Sequence, residues 1–112
     1  MTPTFLFTEL KLHWDLKNRI AEAEQYFKDK NYLQAMQLYS ALVSQYKSFN
    51  EARRRVIQSC FALAQDEPGL YEHGLSYVYA QQKFKDSEIE ELAYYLPTDQ
   101  KKAEFRSIFV KA

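Results

Sequence analysis

The chain has 112 residues, fifteen basic and fifteen acidic side chains that cancel, and hydrophobic residues at 46% of the total. That size gives one domain with a modest core. The apolar content excludes disorder, and the zero net charge excludes the electrostatic footprint of a general nucleic-acid binder. With only two Gly and three Pro, punctuation is too sparse for a many-turned β sandwich. The single cysteine, Cys60, cannot form an intrachain disulfide and suits a reducing compartment, so the expected location is cytoplasmic. No apolar run approaches the roughly 20 residues of a membrane span, and Phe5-Leu6-Phe7 is too short for a signal-peptide core.

Residues 1–14 form a separate segment that reads three ways. Glu9 to Leu16 alternates polar and apolar, a strand period, whereas Leu10, Trp14 and Lys17 follow one another along a helix. As a strand or extended arm it would pair with another chain or cover a groove; otherwise it extends the first helix. From Asp15 the period is helical. Ile20, Ala23, Tyr26 and Phe27 make an amphipathic helix that stops near Lys28-Asp29-Lys30. Asn31 then caps a second helix, with Gln34 three residues on completing a capping-box pattern. Its packed face carries Ala35, Leu38, Tyr39 and Leu42, and it ends around Tyr46-Lys47.

Ser48 with Glu51, or Asn50 alone, can open a third helix through Ala52, Val56, Ile57, Cys60, Phe61 and Leu63. Asp66-Glu67-Pro68-Gly69 is the clearest break, and Pro68 suits the first position of a fourth helix over Leu70–Gln82. Ser87 and Glu90 form another S-x-x-E pair, starting a short fifth helix through Ile89, Leu92 and Tyr95. Pro97 ends it, and Thr98 or Asp99 caps a sixth carrying Ala103, Ile108 and Phe109. Turns of a few residues place neighbouring helices antiparallel. The fold class is therefore all-α, a set of about six helices in antiparallel hairpins over residues 15–112.

Within this pattern, Ala23, Tyr26, Ala35 and Tyr39 resemble the tetratricopeptide repeat. That 34-residue helix–turn–helix places a small residue and an aromatic at these spacings. Arg19, Glu22 and Lys47 depart from the family's Trp, Leu and Pro. A second unit from Asn50 keeps Ala52 and Val56, and recovers Gly74 and Val78 only with an insertion at the Asp66–Gly69 break. The resemblance implies a superhelix whose first-helix faces line a concave groove. Ile20, Glu24, Phe27, Arg54 and Arg55 fall at such positions. The family's clamp for a C-terminal carboxylate would need Lys and Asn at Ile20 and Glu24, so that clamp is not expected.

Arg53-Arg54-Arg55 is the sharpest polar feature. Three successive helical positions fan over about 200°, so the three side chains cannot all be buried together. Either they form a solvated face paired with Glu51, or Arg54 and Arg55 accept carboxylates of an acidic peptide beside an apolar anchor on Ile20 and Phe27. His13 and His73 lack a second histidine at helical spacing, so no metal is expected. Cys60 lies on an apolar face without a nearby base, and no phosphate loop or nucleophile elbow is present. No cofactor is implied. Ser87–Phe109 as a DNA-reading helix-turn-helix is disfavoured by Glu88, Glu90 and Glu91 in its first helix. The expected function is a non-catalytic protein-interaction module, an adaptor or a chaperone holding a segment of a partner protein. The alternative is an assembly domain that forms a homodimer, or docks into a larger complex, through the N-terminal arm or an aromatic face. Neither nucleic acid nor membrane is an expected partner.

Overall fold

The computed structural model describes the backbone of residues 3–81 and 83–110, and side chains from Trp14 onward within those limits. The described residues form six helices and no strand: α1 (Pro3–Lys28), α2 (Tyr32–Gln45), α3 (Asn50–Leu63), α4 (Gly69–Ala80), α5 (Asp86–Ala93) and α6 (Asp99–Ser107). The alternating segment Glu9–Leu16 lies inside α1, so the strand and extended-arm readings give way to a helix. A lone strand would leave its backbone groups without a ladder, whereas a helix satisfies them within itself. The side chains of residues 1–13, including His13, lie outside the described residues. At 26 residues against 14, α1 outruns α2 by about 18 Å at the helical rise.

The turn joining α1 to α2 follows from three residues. Lys30 takes a left-handed backbone with φ 63°. Its N–H donates to the Phe27 carbonyl at 3.0 Å, and the Asn31 N–H reaches back to the Tyr26 carbonyl at 2.9 Å, so the last carbonyls of α1 are satisfied. The Asn31 side chain also accepts from the Gln34 N–H at 3.5 Å, so one residue helps to close α1 and caps α2. Ala23 and Ala35 are fully buried where the two helices approach. Tyr39, Leu42 and Val43 then pack with Ala52, Val56 and Cys60 of α3 into the first core cluster.

Helix α3 is the centre of the molecule, packed against α2, α4 and α5. Its Ile57 and Phe61 enter a second cluster with Tyr71, Leu75 and Val78 of α4, Ile89 and Leu92 of α5, and Phe105 of α6. Gly74 makes the close approach of α4 to α3, since a Cβ there would stand 2.9 Å from the Phe61 ring. Tyr95, just past α5, touches both clusters. Its ring sits 5.6 Å from that of Phe27 and 6.2 Å from that of Tyr32, which ties the end of α5 back to the first hairpin.

Three expected helix starts differ. Phe49, with no side-chain hydrogen bond, precedes α3 in place of a Ser48 or Asn50 cap. Pro68 stands just before α4 and not at its first position. Helix α5 begins ahead of Ser87, at Asp86, and Glu88 rather than Glu90 accepts the Lys85 N–H at 2.8 Å. Glu90 is occupied elsewhere, by Arg106. Thr98 does cap α6, accepting from the Lys101 N–H at 3.1 Å. The buried residue of α6 is Phe105, whereas Ala103 is exposed.

Candidate functional site

Helical spacing assembles the site. On α1, Ile20 and Glu24 are one turn apart. On α3, Glu51, Arg54, Arg55 and Gln58 recur at i, i+3, i+4 and i+7, and Ser87 and Glu91 of α5 with Tyr94, the residue that ends it, do so at i, i+4 and i+7. These faces meet around a cleft of about 370 Å³ lined by Ile20, Glu24, Tyr39, Phe49, Arg55 and Glu91 among others. A shallower depression of about 510 Å³, bounded by Glu90, Tyr94 and Tyr95, continues from it and shares Arg55, Gln58 and Glu91. Together they make one groove across α1, α3 and α5.

Arg55 organises its floor. The guanidinium donates to both oxygens of Glu24, Nη2 to Oε1 at 2.6 Å and Nε to Oε2 at 3.2 Å, and Nη1 donates to Gln58 Oε1 at 2.9 Å. The same guanidinium lies 4.1 Å above the Phe27 ring, a cation–π contact. Tyr39 donates its hydroxyl to Glu24 as well. Burial, and then the Glu24 carboxylate beside it, push the Tyr39 phenol far above its usual range, so it remains a donor. Burial also raises the Tyr95 phenol, although Arg55 opposes that shift.

The other arginines are engaged too. Arg54 Nη1 meets Glu88 Oε2 at 2.8 Å, joining α3 to α5. Arg53 is buried and donates Nη2 to the Lys47 carbonyl at 2.6 Å, while its Nε has no partner. Farther along the rim, Arg106 grips Glu90 through two bonds of 2.9 Å. That hydrogen bonding holds the Glu90 carboxyl below the usual carboxylate range.

Of the residues expected from sequence, Ile20, Glu24, Arg54 and Arg55 come together around the cleft. Phe27 does not line it: the ring is buried beneath Arg55 and edge-on to Tyr95, because the Arg–Glu pair closes over it. Arg54 and Arg55 pair with Glu88 and Glu24, and not with Glu51, because those carboxylates arrive from the facing helices α5 and α1. Sequence reasoning missed Tyr39, Phe49, Gln58, Glu91 and Tyr94. Extending the i, i+4, i+7 face of α1 to α3 and α5 would have found Gln58, Glu91 and Tyr94; no pattern marks Tyr39 or Phe49 as lining residues.

Away from the groove, Cys60 is fully buried 3.4 Å from the Met36 sulfur, and burial pushes its thiol up to about 12. His73 is exposed and edge-on to Tyr77. Among the described residues no group of three His, Cys, Asp or Glu could hold a metal ion, and no helix is long and apolar enough to cross a membrane. No known protein family, curated protein or solved structure matches the chain.

Proposed function

We propose that the protein is a non-catalytic interaction module of the cytoplasm, an adaptor or chaperone that holds a segment of a partner protein in the α1–α3–α5 groove. One observation carries this reading: three alternate helices, α1 through Ile20 and Glu24, α3 through Glu51, Arg54, Arg55 and Gln58, and α5 through Ser87 and Glu91, each turn one face toward one open, mixed apolar and polar groove. A tetratricopeptide-like architecture accounts for that arrangement, and the buried small residues Ala23, Ala35 and Gly74 at the helix–helix approaches support it. The groove offers apolar surface at Ile20 and Phe49 with hydrogen-bonding groups beside it, the mixture that holds an extended or helical segment. The test is cross-linking from cell extract with the intact chain and with Ile20→Asp. Partner capture is expected to vanish in the variant while its helical circular dichroism is unchanged; equal capture by both would remove the groove from the function.

A second reading, an assembly domain, draws on the exposed aromatics Tyr94 (74%), Tyr79 (65%) and Trp14 (64%). It requires a stable homodimer or a fixed place in a larger complex. Light scattering on the purified chain that shows only monomer, with no partner complex recovered from extract, would remove it.

A further inference from the structure

We infer that the segment held in the groove is basic, with Lys or Arg side chains beside an apolar or aromatic anchor. This rests on the groove reading and reverses the acidic partner that Arg54 and Arg55 suggest when read from sequence. Three arginines reach the groove or its rim, and each already has its own glutamate: Arg55 with Glu24, Arg54 with Glu88, Arg106 with Glu90. Two lining carboxylates, Glu51 and Glu91, pair with no cation among the described residues, and both are exposed. The groove therefore presents an excess of negative charge on a chain whose total charge is zero.

An incoming carboxylate would have to displace a two-bond guanidinium pair and then sit beside Glu51 and Glu91 uncompensated. An incoming ammonium or guanidinium displaces nothing. It meets two open carboxylates and, lining the groove beside Glu91, the Tyr94 ring, which is 74% exposed and packs T-shaped with Tyr95 at 5.2 Å. An exposed aromatic ring next to open carboxylates favours a cation twice over, by charge and by the ring quadrupole. Ile20 and Phe49, which line the same cleft, take the apolar anchor.

The experiment is selection of a random-peptide display library on the full chain, followed by resynthesis of the enriched peptides. Enriched sequences should carry an excess of Lys and Arg next to Leu or an aromatic. A resynthesised peptide should bind about fivefold more weakly to the Glu51→Gln/Glu91→Gln double variant, since two exposed charge pairs are removed. Its affinity should also fall with added salt, and its twin carrying Glu for Lys and Arg should not bind. Enrichment of acidic peptides that Ile20→Asp releases would overturn the inference and leave the groove reading standing. Basic peptides that ignore the double variant but are released by Ile20→Asp would overturn the charge assignment alone. Peptides indifferent to both variants, or no enrichment at all, would overturn both.

Discussion

Arg55 and Glu24 are 31 residues apart in sequence, yet the guanidinium clasps the carboxylate with two parallel bonds and bridges α3 to α1. Their side chains are 32% and 29% exposed, so the pair lies between a surface salt bridge and a buried one. Glu24→Ala would leave the guanidinium over Phe27 with Gln58 as its remaining acceptor and the Tyr39 hydroxyl with none. We expect a loss of about 1–2 kcal/mol in urea unfolding, with Glu24→Gln losing less because it keeps an acceptor. A change below a few tenths would mean that solvent already screens the clasp.

Gly74→Ala sets helix propensity against packing. Alanine is favoured over glycine inside a helix by about 1 kcal/mol, which alone would raise stability. The added methyl, however, would meet Phe61 Cε1 at 2.9 Å and Cys60 Cβ at 3.1 Å. Phe61 cannot yield easily, because Phe105 stands edge-on at 5.1 Å and Tyr71 lies at 5.5 Å. The expected net result is a loss of about 1–2 kcal/mol, read as a lowered urea midpoint. A raised midpoint would show that α4 has room to move.

Lys30→Gly should act in the opposite direction. A left-handed backbone at φ 63° costs a side-chain-bearing residue about 1–2 kcal/mol, and glycine returns part of that through its looser unfolded state. A gain of about 0.5–1 kcal/mol is expected from thermal or urea unfolding, with no change in the helical spectrum.

Stability should fall at alkaline pH. An unfolded thiol ionises near about 8.5, whereas burial holds the Cys60 thiol neutral up to about 12. Between those values the folded chain keeps a proton that the unfolded chain has lost. The contribution is thus whole below the unfolded value and disappears as pH rises through the folded one, at no more than about 1.4 kcal/mol per pH unit. Tyr39 has the same sign, with its window opening at the ordinary phenol value, about 10. Urea midpoints measured across this range should decline, and Cys60→Ala should decline less steeply. An identical slope in the variant would assign the effect to the tyrosines. The thiol should also resist alkylation near neutral pH until the chain is unfolded.

The first hairpin was legible because its signals are local. Asn31 and Gln34 lie in adjoining turns, and the alanines and Tyr39 keep helical spacing, so the boundaries of α2 were evident within a residue or two. What was hidden depends on distance along the chain. The carboxylates that neutralise Arg54 and Arg55 arrive from α5 and α1, so the arginines read as open sites for a partner. Helix α5 offers two candidate boxes two residues apart, Lys85 with Glu88 and Ser87 with Glu90, and Glu90 is taken by Arg106. Phe105 sits in a polar stretch of α6 whose periodicity does not announce a fully buried ring. For residues 1–14, alternation and helical spacing were both present, and the choice fell to the backbone's need for internal partners.

Arg53, Arg54 and Arg55 point in three directions and find three different neighbours: the Lys47 carbonyl before α3, Glu88 on α5 and Glu24 on α1. A slip of α3 by one position would turn it by about 100° and break all three links in a single step. The triplet therefore works as an index mark, fixing the rotational setting of the central helix against the elements on either side. Shape in the groove and register in the core are set by the same turn of helix, so neither can drift while the other holds.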